Sequence, residues 1–421
     1  MKYKAIYGTH DILPEELPKW EYVENKIRQA MLLYNYREAR TPIFEQTELF
    51  VRSIGEETDI VRKEMYTFED SGKRSMTLRP EGTAPIVRAY LEHNLGEKSP
   101  LVKLFYIGPM FRQERPQKGR LRQFNQYGAE AIGSLDPLID AEIIGLNLGI
   151  FQSVNLENCR LNLNSIGCPA CRPVHLQKLV KFSESKKSKL CKECQVRLEK
   201  NPLRMFDCKN EDCIQHLKDA PAMIDFLCES CRTHFQKVCE YLDGLTIKYL
   251  IDKTLVRGLD YYTRTAFEFR SSLLGAQDTI SGGGRYDLLV SDFGGKDTPA
   301  IGFAAGVERL VLCLEKEGKF DLKQNGLDVF VAILGEKAKQ AGLKIVQQLR
   351  GSNLKCDMDF LGRSLKAQMR EANRQNAKKV VIIGEDEIEK NIGIVKDMEK
   401  GKQEEVELSK IREFLLFNKE D

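Results

Sequence analysis

Residues 105 to 128 read Phe-Tyr-Ile-Gly-Pro-Met-Phe-Arg-Gln-Glu-Arg-Pro-Gln-Lys-Gly-Arg-Leu-Arg-Gln-Phe-Asn-Gln-Tyr-Gly. Alternation around Leu104 to Ile107 predicts a strand, and Phe124 to Tyr127 predicts its antiparallel partner. Between them runs a loop holding Arg112, Arg115, Lys118, Arg120 and Arg122, with Glu114 as its one acid. A single Arg–Glu pair on a strand is adequately explained as a salt bridge. Five cations around one loop are not. Planar guanidinium groups bind phosphate oxygens bidentately, so the loop points to a polyphosphate or a nucleic-acid end.

A second run, Val256 to Tyr262, places Arg257, Gly258, Asp260, Tyr261 and Tyr262 within seven positions. Thr263-Arg264-Thr265 and the alternating Ala266-Phe267-Glu268-Phe269 follow, so a loop feeds a strand. Alone it reads as a solvated hairpin end; beside the arginine loop it becomes part of a site. The glycine run Ser281-Gly282-Gly283-Gly284-Arg285-Tyr286 lacks the Lys-Ser/Thr ending and the strand–loop–helix setting of a P-loop. Gly302 and Gly306 permit close packing or ligand approach.

Outward from these runs, 421 residues exceed one ordinary core, and two or three domains are expected. Hydrophobic and charged fractions of 42% and 30% indicate a globular chain, and no apolar run approaches the roughly 20 residues of a membrane helix. The start, MKYKAIYGTHDILPEE, lacks an apolar signal segment, so a cytoplasmic location with no membrane partner is expected. A net charge of +3 excludes a strongly basic nucleic-acid coat and permits a local basic patch.

Texture divides the chain into a domain formed by residues 1–160 and 245–325, a cysteine-rich helical insertion at 161–244, and a third region at 326–421. The first is predicted to be α+β, an antiparallel sheet with flanking helices. Val23, Ile27, Met31 and Tyr34 mark a helix over Glu21 to Tyr34, and Asp70 to Lys73 turns a hairpin. The third reads as α/β, βαβαβ: strand Asp328 to Leu334, helix Lys337 to Arg350, strand Lys355 to Phe360, helix Ser364 to Asn376 and strand Lys379 to Ile383. Arg363, Lys366, Arg370, Arg374 and Lys378 recur along one face of its second helix, opposite Leu365, Met369 and Ala372.

Ten of the twelve cysteines lie in or beside the insertion. Cys168/Cys171, Cys191/Cys194, Cys208/Cys213 and Cys228/Cys231 form four closely spaced pairs. Four thiolates make one closed tetrahedral site, so eight suffice for two structural zinc ions, with the pairing left open. Reduced, metal-free cysteines are the alternative; Cys159 and Cys239 read as buried thiols.

The motifs carry a resemblance. Phe111-Arg112-Gln113-Glu114 with Phe124 resembles motif 2 of the class II aminoacyl-tRNA synthetases. GFAAGVERL at 302 to 310 resembles motif 3, and the helix before Pro42 fits motif 1. LVRGLDYYTRT and SGGGRYDLLV, with GTHDILPEE at 8 to 16 and TLRPEGTAPIVRA at 77 to 89, are similar to segments of the histidyl-tRNA synthetase family. The match spans nearly the whole chain in order. It implies a class II catalytic fold, an anticodon-binding third region, and a homodimer built on motif 1. L-histidine, ATP with Mg²⁺ and tRNA(His) are the implied partners, and activation to histidyl-adenylate followed by transfer to the tRNA 3′ end is the implied reaction.

By the resemblance, Arg112 and Arg257 grip the α-phosphate as the catalytic cations and also belong to the histidine-binding set. Arg309 reaches the γ-phosphate and covers one adenine face, Phe124 stacks on the other, and Glu114 accepts from the adenine amino group. Neutral imidazole offers one donor and one acceptor, so a selective pocket needs partners at both nitrogens. Glu130 and Tyr262 match those positions; Glu81, Thr83 and Gln126 match the ammonium site, with Gly82 and Tyr261 lining the pocket. Arg115 and Gln117 match acceptor-end contacts, and Arg363, Lys366 and Arg370 anticodon-side contacts. Lys186, Lys187, Lys189 and Lys192 are either solvated or touch tRNA. Two rivals share features: the ATP phosphoribosyltransferase regulatory subunit shares the fold without the chemistry, and a zinc-stabilised nucleic-acid-binding module explains the cysteines alone.

Overall fold

Strand pairing around the arginine loop builds the central sheet. The structure, a computed structural model, describes residues 3–56, 58–117, 119–275, 278–320 and 326–417; Lys118 of the cationic loop lies outside them. The chain forms two compact units, Met1–Asp321 and Leu322–Asp421.

In chain order the first unit's strands are β1 (Arg37–Glu38), β2 (Phe44–Gln46), β3 (Thr67–Glu69), β4 (Ser75–Leu78), β5 (Val102–Phe111), β6 (Gln123–Ile132), β7 (Arg160–Ser165), β8 (Tyr249–Ile251), β9 (Thr263–Arg270), β10 (Thr279–Arg285) and β11 (Ala300–Gly306). Eight of them form one sheet in the order β1-β5-β6-β11-β10-β9-β7-β8. The six central strands are antiparallel, and the short edge strands β1 and β8 pair parallel. The strands flanking the arginine loop pair as expected from Val102 opposite Ile132 to Phe111 opposite Gln123.

Period-two alternation sorts side chains to two faces. Phe105, Tyr127, Phe267, Phe269 and Phe303 enter a core with the helices Leu17–Leu33, Pro137–Ser153 and Val307–Lys316. Tyr106, Met110, Ala266, Tyr261, Tyr262 and Tyr286 belong to a cluster on the other side, with Ile86 and Val87. The first helix begins at Leu17, four residues earlier than its apolar spacing predicts, because Pro18 sits in its first turn, where a missing N–H costs nothing. The predicted hairpin is present as β3–β4, with Asp70 Oδ1 accepting from the amides of Gly72 and Arg74 at 2.9 Å.

Between β7 and β8 the chain is helical: Arg172–Glu184, Lys192–Lys200, Glu211–Leu217 and Glu229–Gly244. Leu179, Leu198, Met205 and Leu217 close a small core with Cys194, Cys208 and Cys213. The last helix instead joins the main core through Phe235, Val238 and Leu242.

In the second unit β12 (Val329–Ile333), β13 (Cys356–Met358) and β14 (Lys379–Ile383) are parallel, as βαβαβ requires. β15 (Ile392–Asp397) and β16 (Gln403–Glu407) extend the sheet antiparallel in the order β13-β12-β14-β15-β16. These two escape the sequence reading because the edge strand is Gln-Glu-Glu-Val-Glu with only Val406 buried, a charged edge that discourages further pairing.

Candidate active site

A cleft of about 270 Å³ opens on the sheet and gathers residues that are remote in sequence. Arg112, Glu114 and Phe124 come from the β5–β6 hairpin, Arg257, Tyr261 and Tyr262 from the loop before β9, and Arg309 from the helix after β11. The Arg112 guanidinium lies 5.4 Å from the Phe124 ring and donates through Nε to Pro80 O at 3.0 Å. The Arg257 guanidinium lies 5.4 Å from the Tyr262 ring and pairs with Glu268. Arg309 donates to Gly119 O at 3.1 Å and to Thr279 O. Burial and the neighbouring Arg120 press its pKa down, yet an arginine stays cationic at neutral pH. Arg112, Arg257 and Arg309 therefore line one cleft, together with Arg120, which is paired with Glu114.

Glu268 was not anticipated as a site residue. Its carboxylate holds Arg257 and also accepts from Arg270 Nε at 2.9 Å and Thr279 Oγ1 at 3.1 Å. The signal was an acid on an otherwise apolar alternating strand. Glu308, also unanticipated, accepts from the Asn125 amide at 2.7 Å, and burial raises its pKa to about 7.

Glycines let these groups lie against the sheet. A Cβ on Gly282 would stand 2.4 Å from the Arg257 guanidinium, and one on Gly302 1.7 Å from Glu130 Oε2. Gly82 likewise sits against the Tyr106 ring, where a Cβ would be 2.3 Å away.

The end of the cleft beside Glu81 and Glu130 is more closed than the residue pattern implies. Glu81 accepts from the amides of Thr83 and Ala84 at 2.6 and 2.8 Å, holding the start of the helix Thr83–Glu92. Glu130 is fully buried, with one oxygen accepting from Thr83 Oγ1 at 2.7 Å and the other from Tyr286 Oη at 2.5 Å. It lies behind the cleft wall rather than in its lining, whereas Glu81, Thr83, Gln126, Tyr261 and Tyr262 line it. Tyr286, the residue that shields Glu130, was visible only as the end of a glycine run. The Tyr261 and Tyr262 rings are 4.6 Å apart, and Tyr286 is 5.7 Å from Tyr261. Among the described residues, Gln126 Oε1, Arg257 Nε and Glu308 Oε2 are buried without a hydrogen-bond partner, so the cleft presents both acceptors and a donor that a ligand can satisfy.

Burial pushes the Glu130 carboxyl up to about 8, against the lowering effect of the two hydroxyls. A carboxyl raised on folding keeps its proton in the folded chain after the unfolded chain has released it. The stability it confers is complete below its ordinary range near pH 4 and declines as pH rises toward about 8. Chemical denaturation of the first unit between pH 5 and 7.5 should show a fall in stability steeper than in Glu130→Gln by up to about 1.4 kcal/mol per pH unit, the slope of one proton. Parallel slopes would show that Glu130 is ionised in the folded chain.

Other predicted residues fall outside the cleft or engage protein partners. Glu114 pairs with Arg120 at 2.9 Å. Arg115 and Gln117 are exposed near the hairpin tip. The helix runs Leu365–Arg374, so Arg363 and Lys378 lie outside it; Arg363 is tied to Asp359 and Glu371, Arg374 to Glu371 and Lys378 to Asp328, and the expected continuous cationic face reduces to the exposed Lys366 and Arg370. Gln368 on that helix is buried and bonds both Ile333 backbone groups. In the insertion, Lys186 donates to His216 O at 2.8 Å and Lys187 pairs with Glu199 at 2.6 Å; Lys189 and Lys192 are exposed.

The cysteine pairs assemble into two tetrads, Cys168/Cys171/Cys228/Cys231 and Cys191/Cys194/Cys208/Cys213, each with all sulfurs within 4.8 Å of one another. In the first, Cys168 lies 3.6 Å from Cys171 and 3.8 Å from Cys228, and Cys171 lies 3.8 Å from Cys231. In the second, Cys191 lies 3.8 Å from Cys208. Cys159 and Cys239 are half-buried rather than buried.

The family model described as histidyl-tRNA synthetase matches residues 8–310, and that of an anticodon binding domain matches 328–418. A histidine–tRNA ligase of Halothermothrix orenii is 52% identical over 413 residues, 98% of this chain and 99% of that protein. A crystal structure of apo histidyl-tRNA synthetase from S. aureus superposes with a TM-score of 0.82 at 42% identity, covering 98% of this chain and 99% of the other. A Bacillus halodurans chain described as an ATP phosphoribosyltransferase regulatory subunit/histidyl-tRNA synthetase gives 0.65 at 20% identity, with 91% and 99% covered, a likeness of fold alone.

Proposed function

Since the chain belongs to the histidyl-tRNA synthetase family, we propose that its cleft activates L-histidine with ATP and passes the histidyl group to tRNA(His). The protein is a class II histidine–tRNA ligase, with ATP and Mg²⁺ as its activation substrates. The observation that carries the assignment of roles is the convergence of Arg112, Arg257 and Arg309 on one cleft beside the unpartnered Gln126 Oε1.

In adenylation the histidine carboxylate attacks the α-phosphorus and the bond to pyrophosphate breaks. The attacking group is already ionised, so no protein base is required. Negative charge grows on the α-phosphate, which Arg112 and Arg257 are assigned to flank; fixed cations in a confined site stabilise such a state without reorganising. Arg309 takes the γ-phosphate and one adenine face, and Phe124 the other. Glu114, once released by Arg120, takes the adenine amino group. Gln126, with Glu81 and Thr83, receives the α-ammonium. Tyr262 and Glu130 face the imidazole nitrogens, Glu130 after its Thr83 or Tyr286 bond is exchanged; Gly82 and Tyr261 shape the pocket. In the second step a ribose hydroxyl of the tRNA 3′ adenosine attacks the activated carbonyl and AMP leaves.

Arg115 and Gln117 are assigned to the acceptor end, and Arg363, Lys366 and Arg370 to the anticodon side, with Lys366 and Arg370 the exposed cations among the three. Residues 1–160 with 245–325 form the catalytic domain, 161–244 the insertion and 326–421 the anticodon-binding domain. A cytoplasmic homodimer is the expected form. The cysteine tetrads are assigned one structural zinc each. A tetrahedron with Zn–S bonds of about 2.3 Å has edges of about 3.8 Å, and the sulfur separations of 3.6 and 3.8 Å support that fit.

The test is histidine-dependent ATP–pyrophosphate exchange followed by histidyl transfer to tRNA. Exchange is expected with histidine and not with other amino acids, whose side chains leave buried polar groups unpaired. A protein without exchange would return the reading to the non-catalytic subunit.

A further inference from the structure

We propose that the tetrad Cys168/Cys171/Cys228/Cys231 is a metal-held clasp at the neck of the insertion that positions the Tyr262 wall of the amino-acid pocket. The second tetrad, by contrast, secures the insertion's outer part and has no part in holding the Tyr262 backbone. The functional half of this inference rests on the cleft being the histidine site.

The first tetrad joins the two ends of the insertion. Cys168 and Cys171 follow β7 directly, and Cys228 and Cys231 open the helix Glu229–Gly244 that returns to the main core. A dication held by four thiolates carries a net double negative charge, and burying that charge requires compensation. Two arginines supply it. Arg264 Nη1 stands 3.7 Å from Cys231 Sγ and 3.2 Å from Ser230 Oγ. Arg172, the residue after Cys171, is desolvated and interacts electrostatically with Asp260 and the sulfurs of Cys171, Cys168 and Cys231. The Cys168 amide also donates to Cys171 Sγ at 3.0 Å.

The same two arginines reach the pocket. Arg172 donates to Ile166 O at 3.2 Å and, through Nη2, to the backbone carbonyl of Tyr262. The Arg264 backbone is clamped on both sides, its amide donating to Gly167 O at 2.8 Å and its carbonyl accepting from Ile166 at 2.7 Å. Its side chain pairs with Asp287 at 3.3 Å, which in turn accepts from Arg285 at 2.8 Å, the neighbour of Tyr286 and hence of Glu130. The second tetrad touches the active-site loop differently. Within its segment, Asn201 meets Asp260 through one exposed hydrogen bond, and Arg197 and Arg204 approach Asp59 at 3.6 and 3.8 Å. Arg197 and Arg204 are themselves largely buried, and Asp207, next to Cys208, interacts electrostatically with Arg204, Glu268 and Arg257, so this segment meets the Arg257 side of the cleft rather than the Tyr262 backbone.

Four full-length variants, with metal counted by mass spectrometry and histidine binding by equilibrium dialysis and exchange kinetics, test the clasp. Wild type should carry two zinc ions. Cys228→Ser should lose one and raise the KM for histidine about tenfold, a typical effect of removing support around a site, with the KM for ATP within twofold. Cys208→Ser should lose one zinc and leave the KM for histidine within twofold. Arg172→Ala should keep both zinc ions yet reproduce the histidine defect, and Arg172→Lys should recover part of it. A folded, metal-free wild type would overturn the clasp. So would an unchanged histidine KM in both Cys228→Ser and Arg172→Ala, or an equal defect in Cys208→Ser. Wild type that holds two zinc ions but neither binds histidine nor exchanges pyrophosphate would overturn the ligase reading instead, with the metal sites standing.

Discussion

Arg257→His is expected to slow histidine-dependent ATP–pyrophosphate exchange by about a hundred- to a thousandfold, the usual cost of removing one fixed electrostatic stabiliser of a charged transition state. An imidazole is mostly uncharged at neutral pH and offers no bidentate fork, so the α-phosphate loses one of its two flanking cations. The loss should fall on kcat, because the charge that Arg257 answers grows only as the bond to pyrophosphate breaks. Stability should change little: Glu268, left by Arg257, keeps Arg270 at 2.9 Å and Thr279 at 3.1 Å. Single-turnover exchange together with a denaturation curve separates the two effects. Exchange within threefold of wild type would remove Arg257 from the chemistry.

Arg285→Ala should destabilise the first unit by about 3–5 kcal/mol, the largest structural effect expected of any single change here. Arg285 is fully buried and links separate parts of the domain: Nε to Asp140 at 2.9 Å, Nη1 to Asp287 at 2.8 Å and Nη2 to Ser134 O at 2.8 Å. Asp140, also fully buried, would keep its hydrogen-bond contact with His234 at 3.0 Å. An uncompensated carboxylate in that position is far costlier than the lost Coulomb attraction alone suggests. Urea unfolding followed through the tyrosines of the cleft measures the change. A loss below about 1 kcal/mol would show that the neighbours relax enough to take over the charge.

Both residues stand in runs that were conspicuous in the chain, yet they were legible to different degrees. Arg257 belonged to an acid–base–phenol run beside a second arginine loop, and chemistry alone suggested a phosphate. Arg285 read as part of a glycine run with no partner in sight. Asp140 lies 145 positions away, and only the register of β10 against its neighbours and the packing of the helix Pro137–Ser153 bring the two together. Glu130 illustrates the same limit. Its position on β6 was evident, but its enclosure by Tyr286, 156 positions later, is a product of sheet order.

Local sequence was enough to specify the strand–arginine loop–strand unit, the amphipathic helices, the βαβαβ start of the second unit and the thiol content of the insertion. Those features are written in local periodicity and spacing, which neighbouring residues impose on one another. Tertiary structure decided what remained: which cysteines share a tetrad, with Cys168 meeting Cys228 across 60 positions, which acid restrains Arg257, and which hydroxyl covers Glu130. Such partners are set by long-range strand pairing and by the burial of charge, which no short window of sequence contains.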